Sequence, residues 1–374
     1  MIYSKRTNVE TFFLDLQNLS FMFALLKLLV NTMEHFNPTM VTLAREARGY
    51  TQQDLAERIN TQKAFISKIE HGELGVSEMI LDSISKATSY PLNFFFQPGT
   101  ILPMNLSYRK RKKVPAKIIT PIEAKFNIVK NNIQFLTRSL NKQAPLIPTF
   151  KVTEECTPNI IAKQFRQCLN LSKPVIDNLA KLLEQQGIII SCFEFGSERV
   201  DSRSILTDDQ FPIIFLNKSH LGDRLRFSLA FQLGHLVMHT YSPVPADREI
   251  SHEANLFAAE LLMPEEAIRE DFKDGVSLPL LAQLKRKWKV SMISLLYRAD
   301  DLGFLTPNQK RYLVQQFNQA KIRRREPVEL DVAKEEPQLI RQMVIEYCQQ
   351  EGLSLPAFTQ ILALELEDYL ELYC

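Results

Sequence analysis

Apolar residues recur at helical spacing along most of the chain. From residue 38 to residue 98 they recur every three or four positions in short segments separated by turn residues, which predicts a series of short helices. Longer helices are predicted at Asn159–Leu171, Val175–Gln186, Asp223–His239 and Ser251–Pro264. Strand composition is found in Gly187–Phe193 and Pro212–Leu216. The expected fold class is therefore mainly α with a small α+β domain.

The pattern divides the chain into five consecutive blocks. We predict an N-terminal extension, a bundle of short helices, a basic linker with a helix, an α+β domain and a helical tail, at residues 1–37, 38–98, 99–150, 151–303 and 304–374. In the extension, the run Leu19–Val30 is apolar, but it is short and contains Lys27. Neither a membrane anchor nor a signal peptide is therefore expected. Translation could instead begin at Met33, which would place residues 1–32 upstream of the true start.

Composition narrows the possible functions. The net charge of the 374-residue chain is only +2, so any affinity for nucleic acid must come from a local surface. The five cysteines are scattered and form no CxxC pair, which favours a reducing, cytoplasmic compartment over a disulfide or zinc-knuckle framework. The chain has only 11 glycines and no GxxxxGK[ST] sequence, so a phosphate loop is not expected.

The stretch TQQDLAERINTQKAFISKIEHGE, Thr51–Glu73, has the layout of two short helices joined by a tight turn. Thr51 followed by Asp54 predicts a helix N-cap, Asn60 begins the turn, and Gly72 ends the second helix. In such a helix-turn-helix the second helix can enter the major groove of DNA. The residues that we expect to contact bases or phosphates are Gln52, Gln62, Lys63, Ala64, Ser67 and Lys68.

The same region resembles a family of DNA-binding domains. The sequences REARGYTQQDLAE, ISKIEHG and YPLNFFF carry this resemblance, and on them residues 38–98 are similar to the Xre/Cro family of helix-turn-helix domains. The resemblance implies a sequence-specific transcriptional regulator that reads a double-stranded DNA operator. A homodimer is expected, because one short reading helix covers only a half-site.

This region is weakly acidic, so it needs additional positive charge to bind phosphate. From Glu34 to Asp82 there are eight acidic and five basic residues. Dimerisation or a neighbouring basic segment would therefore be needed for affinity. The stretch Tyr108–Lys117 carries six basic residues and no acidic one, so it could neutralise phosphates beside the helix pair; the alternative is a solvated linker. The second basic run, Lys321–Arg325, is a weaker candidate for the same role.

The helix FSLAFQLGHLVMH, Phe227–His239, resembles that of a zinc peptidase with essential residues replaced. The zinc-peptidase pattern H-E-x-x-H provides two metal ligands one helical turn apart and a glutamate that activates water. Here Phe231 and Gln232 occupy the positions of the first histidine and the glutamate, and only His235 fits. We therefore expect no catalytic residue and no bound zinc at this motif.

A larger resemblance surrounds this helix. The sequences NLAKLLEQQGIII, RFSLAFQLGHLVMH, EANLFAAELLMP and WKVSMISLLYRADDLG make the region from about Asn159 to Gly303 similar to the ImmA/IrrE family of metallopeptidase-like domains, which have a zincin-like fold. The resemblance places the third zinc ligand at Glu253, while Phe231, Gln232 and His235 take the other positions. One histidine and one glutamate are too few for a catalytic zinc, which has three protein ligands. The region would then be a pseudo-enzyme that senses a small-molecule or protein effector.

Two alternative functions stay open on sequence alone. A shifted zinc site at His235, His239 and Glu253, or with His252, would make the protein a metal-dependent peptidase that cleaves a repressor. The chain could also be the antitoxin-like component of a toxin–antitoxin module.

The acidic tail from Pro327 onward predicts short helices, and we favour a helical cap or a dimerisation arm over an acidic mimic that competes for the basic linker.

Overall fold

The computed structural model describes residues 36–101, 108–110, 114–240, 245 and 247–373. The described residues form two compact units. The first unit contains residues 36–101, 114–143 and 340–373, and the second contains residues 108–110 and 144–339. The apolar run Leu19–Val30 and the alternative start at Met33 lie outside the described residues.

The first unit opens with a bundle of helices, as the apolar spacing predicts. Its helices are α1 (Pro38–Ala47), α2 (Gln52–Arg58), α3 (Lys63–Glu70) and α4 (Glu78–Thr88), then a 3₁₀ turn (Leu92–Phe96) and α5 (Ala116–Ser139). Apolar residues from each of these helices are buried together, among them Leu43, Leu55, Ile66, Ile84 and Phe95. Burial of this shared face holds helices of only two or three turns that would not be stable alone.

The turn chemistry of the helix-turn-helix agrees with the sequence prediction. The Thr51 side chain accepts a hydrogen bond from the backbone N–H of Asp54, and the Asp54 carboxylate accepts one from Thr51, which completes a capping box. Asn60 has a φ of 53° and reverses the chain after α2. Gly72 has a φ of 70°, a backbone conformation that glycine adopts without steric cost, and ends α3.

The second unit is mainly helical with one sheet. Its helices are α6 (Pro158–Cys168), α7 (Leu179–Gln185), α8 (Gly222–Met238), α9 (Ile250–Leu262), α10 (Glu265–Phe272), α11 (Leu278–Trp288), α12 (Met292–Asp301) and α13 (Pro307–Gln319). The predicted helix at Val175–Gln186 begins later than expected, because the Asn178 side chain caps the backbone N–H of Lys181.

The sheet has four strands in the order β1–β3–β4–β2. The strands are β1 (Tyr108–Lys110), β2 (Ile189–Phe193), β3 (Val200–Leu206) and β4 (Pro212–Asn217). Strands β2 and β4 run parallel, and β1 and β4 both pair antiparallel with β3. The sequence predicted β2 and β4 but not the other two, because β1 lies in a basic run and β3 has the polar sequence VDSRSIL. The basic run is therefore not only a linker.

Helix α8 lies at the centre of the second unit. It contacts strands β3 and β4 on one side and α9 on the other, and almost all of its residues are buried. Gly234 allows the close approach of α9, because a Cβ atom at this position would lie 3.0 Å from the Phe257 ring. This packing brings the N-terminal half of α9, with Glu253, next to the C-terminal half of α8.

The C-terminal tail returns to the first unit. It contains α14 (Leu339–Glu351), α15 (Leu355–Ile361) and α16 (Leu366–Tyr373), with Gly352 at the predicted turn. Asp368 accepts two hydrogen bonds of 2.7 Å from the Arg48 guanidinium. The two units are thus interleaved along the chain, whereas the sequence pattern predicted consecutive blocks. Of the helices in the described ranges, none is long and apolar enough to span a membrane.

Candidate functional site

Helix α3 presents most of the predicted DNA-contacting side chains to solvent. Gln62 is the N-cap residue of α3, and its side chain makes no capping hydrogen bond. Gln62, Lys63, Ala64 and Lys68 are exposed, whereas Ser67 is half-buried. Because Ile66 and Ile69 on the opposite side are fully buried, the helix is fixed with this polar face outward. Four of the five predicted outward residues are therefore exposed, and DNA contact by them stays a prediction.

A buried ion pair connects α3 to α1. Arg45 is 6% exposed, and its Nε donates to Glu70 Oε1 at 2.5 Å. Burial lowers the pKa of Arg45, but the hydrogen bond and the charge of Glu70 outweigh burial and raise it. The Gln52 side chain donates to Glu70 Oε2 at 2.8 Å, so this predicted phosphate contact is engaged by the same carboxylate. These bonds fix the orientation of the reading helix within the first unit.

The zinc-peptidase motif positions lie in the interior of the second unit. Phe231, Gln232 and His235 on α8 are all at most 2% exposed. The Phe231 ring contacts the His235 ring edge-on, with centroids 4.8 Å apart. The Gln232 amide donates to Ser202 Oγ on β3 at 2.9 Å. An apolar ring and a neutral amide thus fill the positions where the motif requires a metal ligand and a base.

His235, His239 and Glu253 come together as a chain of hydrogen bonds. His235 Nδ1 lies 3.0 Å from His239 Nδ1, and His239 Nε2 lies 2.8 Å from Glu253 Oε2. Arg248 then donates to both oxygens of Glu253, through its Nε at 2.8 Å. We call these four side chains, His235, His239, Glu253 and Arg248, the histidine relay. The three residues of the shifted-site hypothesis are therefore neighbours in the fold.

Burial sets the protonation states in the histidine relay. Burial, with a smaller contribution from His239, lowers the pKa of His235 to about 3. Burial also lowers the pKa of His239, although Glu253 opposes this. Burial raises the pKa of Glu253, but the hydrogen bonds from Arg248 and His239 outweigh it and the pKa is lowered. At neutral pH the two imidazoles are therefore uncharged, and the Glu253 carboxylate is paired with Arg248.

This geometry does not fit the zinc ion that the ImmA/IrrE resemblance implies. Metal ligands must converge on one point, but His235 and Glu253 contact opposite nitrogens of the His239 ring. Phe231 offers no lone pair, and the Glu253 oxygens are occupied by Arg248. Throughout residues 36–101, 114–240 and 247–373, no three His, Cys, Asp or Glu side chains are arranged to hold a metal.

Arg109 on β1 reaches the motif from the basic run, a contact that the sequence did not predict. Its guanidinium lies 4.8 Å from the Phe227 ring centroid and 5.5 Å from that of Phe231. It also donates to Ser228 Oγ at 2.8 Å. Burial lowers the pKa of Arg109 to about 10, and the charge of Asp201, 3.9 Å away, partly opposes this. No signal in the basic run distinguishes Arg109 from the residues that follow it, because they are also lysines and arginines.

Comparison with known families supports a helix-turn-helix domain and an IrrE-type domain. Residues 42–95 match the family model described as helix-turn-helix, and residues 183–300 match the Peptidase_M78 model, described as the IrrE N-terminal-like domain. No curated protein matches the chain. The chain therefore joins an N-terminal helix-turn-helix domain to an ImmA/IrrE-type domain.

Proposed function

We propose that this protein is a sequence-specific transcriptional regulator whose ImmA/IrrE-type domain has lost peptidase chemistry and senses an effector. The observation that carries the proposal is that one chain has both an exposed polar face on α3 and a buried motif on α8 with Phe231 and Gln232 at the ligand and base positions. The helix-turn-helix supplies DNA binding, and the second domain supplies a surface that can bind a small molecule or a protein without cleaving it.

The DNA-binding half rests on the side chains that α3 exposes. Gln62 can pair with an adenine edge, and Lys63 and Lys68 can reach guanine edges or phosphates in the major groove. The Arg45–Glu70 ion pair holds the helix in a fixed orientation, which direct readout of bases requires. A homodimer fits this arrangement, because two reading helices would cover two half-sites one helical turn apart.

The proposed sensing role of the second domain rests on the replacement of the catalytic base and of the metal ligands. Gln232 is neutral, so it cannot accept a proton from a water molecule as a general base does. Phe231 and the Arg248–Glu253 pair remove two of the three ligand positions. The rival hypothesis, a peptidase with a shifted zinc site, requires three converging donors, and the histidine relay orders its donors in a line.

The proposal is tested by DNA binding of the double variant Lys63→Ala with Lys68→Ala. The matched control, Lys86→Ala with Lys173→Ala, removes the same charge at exposed positions away from α3. The probe is a labelled DNA fragment from upstream of the protein's own gene, and the readout is fluorescence anisotropy over a range of salt concentrations.

We expect the α3 variant to bind more weakly than the control at every salt concentration. If both lysines contact phosphates, the slope of log K against log salt also falls by about 2, at about 0.9 per phosphate contact. Binding equal to that of the control would contradict the proposed role of α3.

A further inference from the structure

Strand β1 covers what would otherwise be an open edge of the sheet. In the order β1–β3–β4–β2, the described strand that β1 pairs with is β3, through Tyr108, Arg109 and Lys110. The register shifts between Arg109 and Lys110, so the ladder is short and irregular. An edge strand exposes N–H and C=O groups that can pair with any extended chain, and three residues of pairing give little stability.

The β3 edge lies directly beside the filled peptidase motif. Ser202 on β3 is opposite Arg109 in the ladder and also accepts the hydrogen bond from Gln232. Arg109 also contacts Phe227, Ser228 and Phe231 on α8. The edge and this helix face therefore form one groove. The β3 edge pairs with the β1 backbone, and the α8 face contacts the Arg109 side chain. We call it the β3–α8 groove.

The groove has features that suit an arginine in particular. The Phe227 and Phe231 rings provide faces for a planar guanidinium, and Ser228 Oγ accepts one of its N–H groups. Asp201 supplies a negative charge 3.9 Å from Arg109 Nε. Only 25% of the Arg109 side chain is exposed, so most of its surface is matched by this pocket.

We propose that the β3–α8 groove is a binding site for an extended peptide strand carrying an arginine, and that the chain's own Tyr108–Lys110 occupies it until a partner protein's strand replaces it. This inference rests on the proposed sensing function and names its ligand class. Strand addition to a sheet edge gives affinity through the backbone, and the arginine pocket gives specificity. Because the occupant is part of the same chain, it competes at a high effective concentration, and a partner must exceed that competition.

A labelled peptide with the sequence of residues 104–114, MNLSYRKRKKV, tests the proposal on the full-length chain. Its matched control carries Arg109→Lys, which keeps the charge but loses the planar guanidinium. Anisotropy titrations compare both peptides on the wild-type chain and on the chain variant Arg109→Ala, whose own strand is weakened.

We expect the natural peptide to bind the Arg109→Ala chain at least about tenfold more tightly than the wild-type chain. We also expect it to bind that chain about tenfold more tightly than the lysine peptide does. Adding Ser228→Ala to the chain should weaken binding, because Ser228 Oγ accepts the arginine hydrogen bond. Equal binding of the two peptides, or equal binding to the two chains, would overturn the proposal.

Two further measurements keep the outcome decisive. Fluorescence emission from the single, fully buried Trp288 reports whether the Arg109→Ala chain is folded. If that chain is unfolded, the Arg109→Lys chain is used in its place. Operator binding by the same preparations is scored separately. Failure of peptide binding with intact operator binding rejects the groove alone, whereas loss of operator specificity rejects the proposed function.

Discussion

The Nδ1 atoms of His235 and His239 lie 3.0 Å from each other, so the two histidines, one helical turn apart in sequence, are hydrogen-bonded. In a zinc site, nitrogens at this spacing would both point at the ion. Here the second nitrogen of His239 turns to Glu253, and Arg248 completes the pairing of that carboxylate. The four side chains therefore form a linear hydrogen-bond network.

The first prediction concerns metal content. Elemental mass spectrometry on protein purified without chelators or a metal-affinity tag should find zinc far below one ion per chain. The variant Phe231→His with Gln232→Glu restores the motif but leaves Glu253 paired with Arg248, so it should gain little zinc. Adding Arg248→Ala frees the carboxylate, and the triple variant should approach one zinc ion per chain.

The control for this series is His235→Ala in the triple variant, which should abolish the gain. The opposite result would be stoichiometric zinc in the wild-type protein that disappears in His235→Ala. That result would show that His235 binds metal without Phe231 being replaced, and the pseudo-enzyme proposal would be wrong.

The second prediction concerns the orientation of the reading helix. Glu70→Gln leaves the Arg45 guanidinium buried beside a neutral amide, which should destabilise the first unit by about 3–5 kcal/mol. Amide hydrogen exchange in α3 should accelerate, and operator affinity should fall. Asp82→Asn removes one partner of the exposed Lys86 pair and should change stability by less than about 1 kcal/mol. Equal exchange rates in the two variants would rule out the Arg45–Glu70 pair as the anchor of α3.

The third prediction concerns pH. Burial raises the pKa of Asp201, but hydrogen bonds from His220 and Arg224 and the charge of Arg109 lower it to about 2. A carboxyl whose pKa is depressed in the folded state stabilises the fold above its unfolded pKa, near 3.9, and loses this contribution as pH falls toward 2. Asp201→Asn should therefore cost about 2 kcal/mol at neutral pH and progressively less below about pH 4.

Trp288 fluorescence during denaturation measures this difference, because Trp288 lies buried in the same unit as Asp201. Arg224→Gln should reduce the effect of Asp201→Asn, since it removes one of the hydrogen-bond donors to the carboxylate. A stability difference that stays constant from pH 6 to pH 2 would contradict the depressed pKa.

The fourth prediction concerns the C-terminal helices. Arg48 donates to both oxygens of Asp368 and lies over the Tyr90 ring, 4.5 Å from its centroid. A double-mutant cycle with Arg48→Ala and Asp368→Ala should give a coupling of about 1–3 kcal/mol, because the pair is bidentate and partly buried. A matched cycle on the exposed Lys86–Asp82 pair should give at most about 0.5 kcal/mol. Similar couplings would mean that α16 is not held by Arg48.

Local patterns were sufficient to predict much of this protein. The capping pair Thr51 and Asp54, the turn at Asn60 and the helix end at Gly72 follow from side chains and φ preferences within a few residues. The exposed side of α3 follows from helical periodicity, and Phe231 and Gln232 are read directly from the letters FQLGH. The family models independently support both domain types.

Other features depend on residues that are distant in the sequence. Strand β3 has a polar sequence, and it is a strand because β1, β4 and α8 cover it. Arg109 lies 119 residues from the Ser228 hydroxyl to which it donates, and Asp368 lies 320 residues from Arg48. Pairing over such separations is set by strand register and by helix packing. The sequence by itself therefore determined the helices, their caps and the FQLGH stretch, and the tertiary structure decided that β1 pairs with β3 beside α8, that the relay is linear and that the tail joins the first unit.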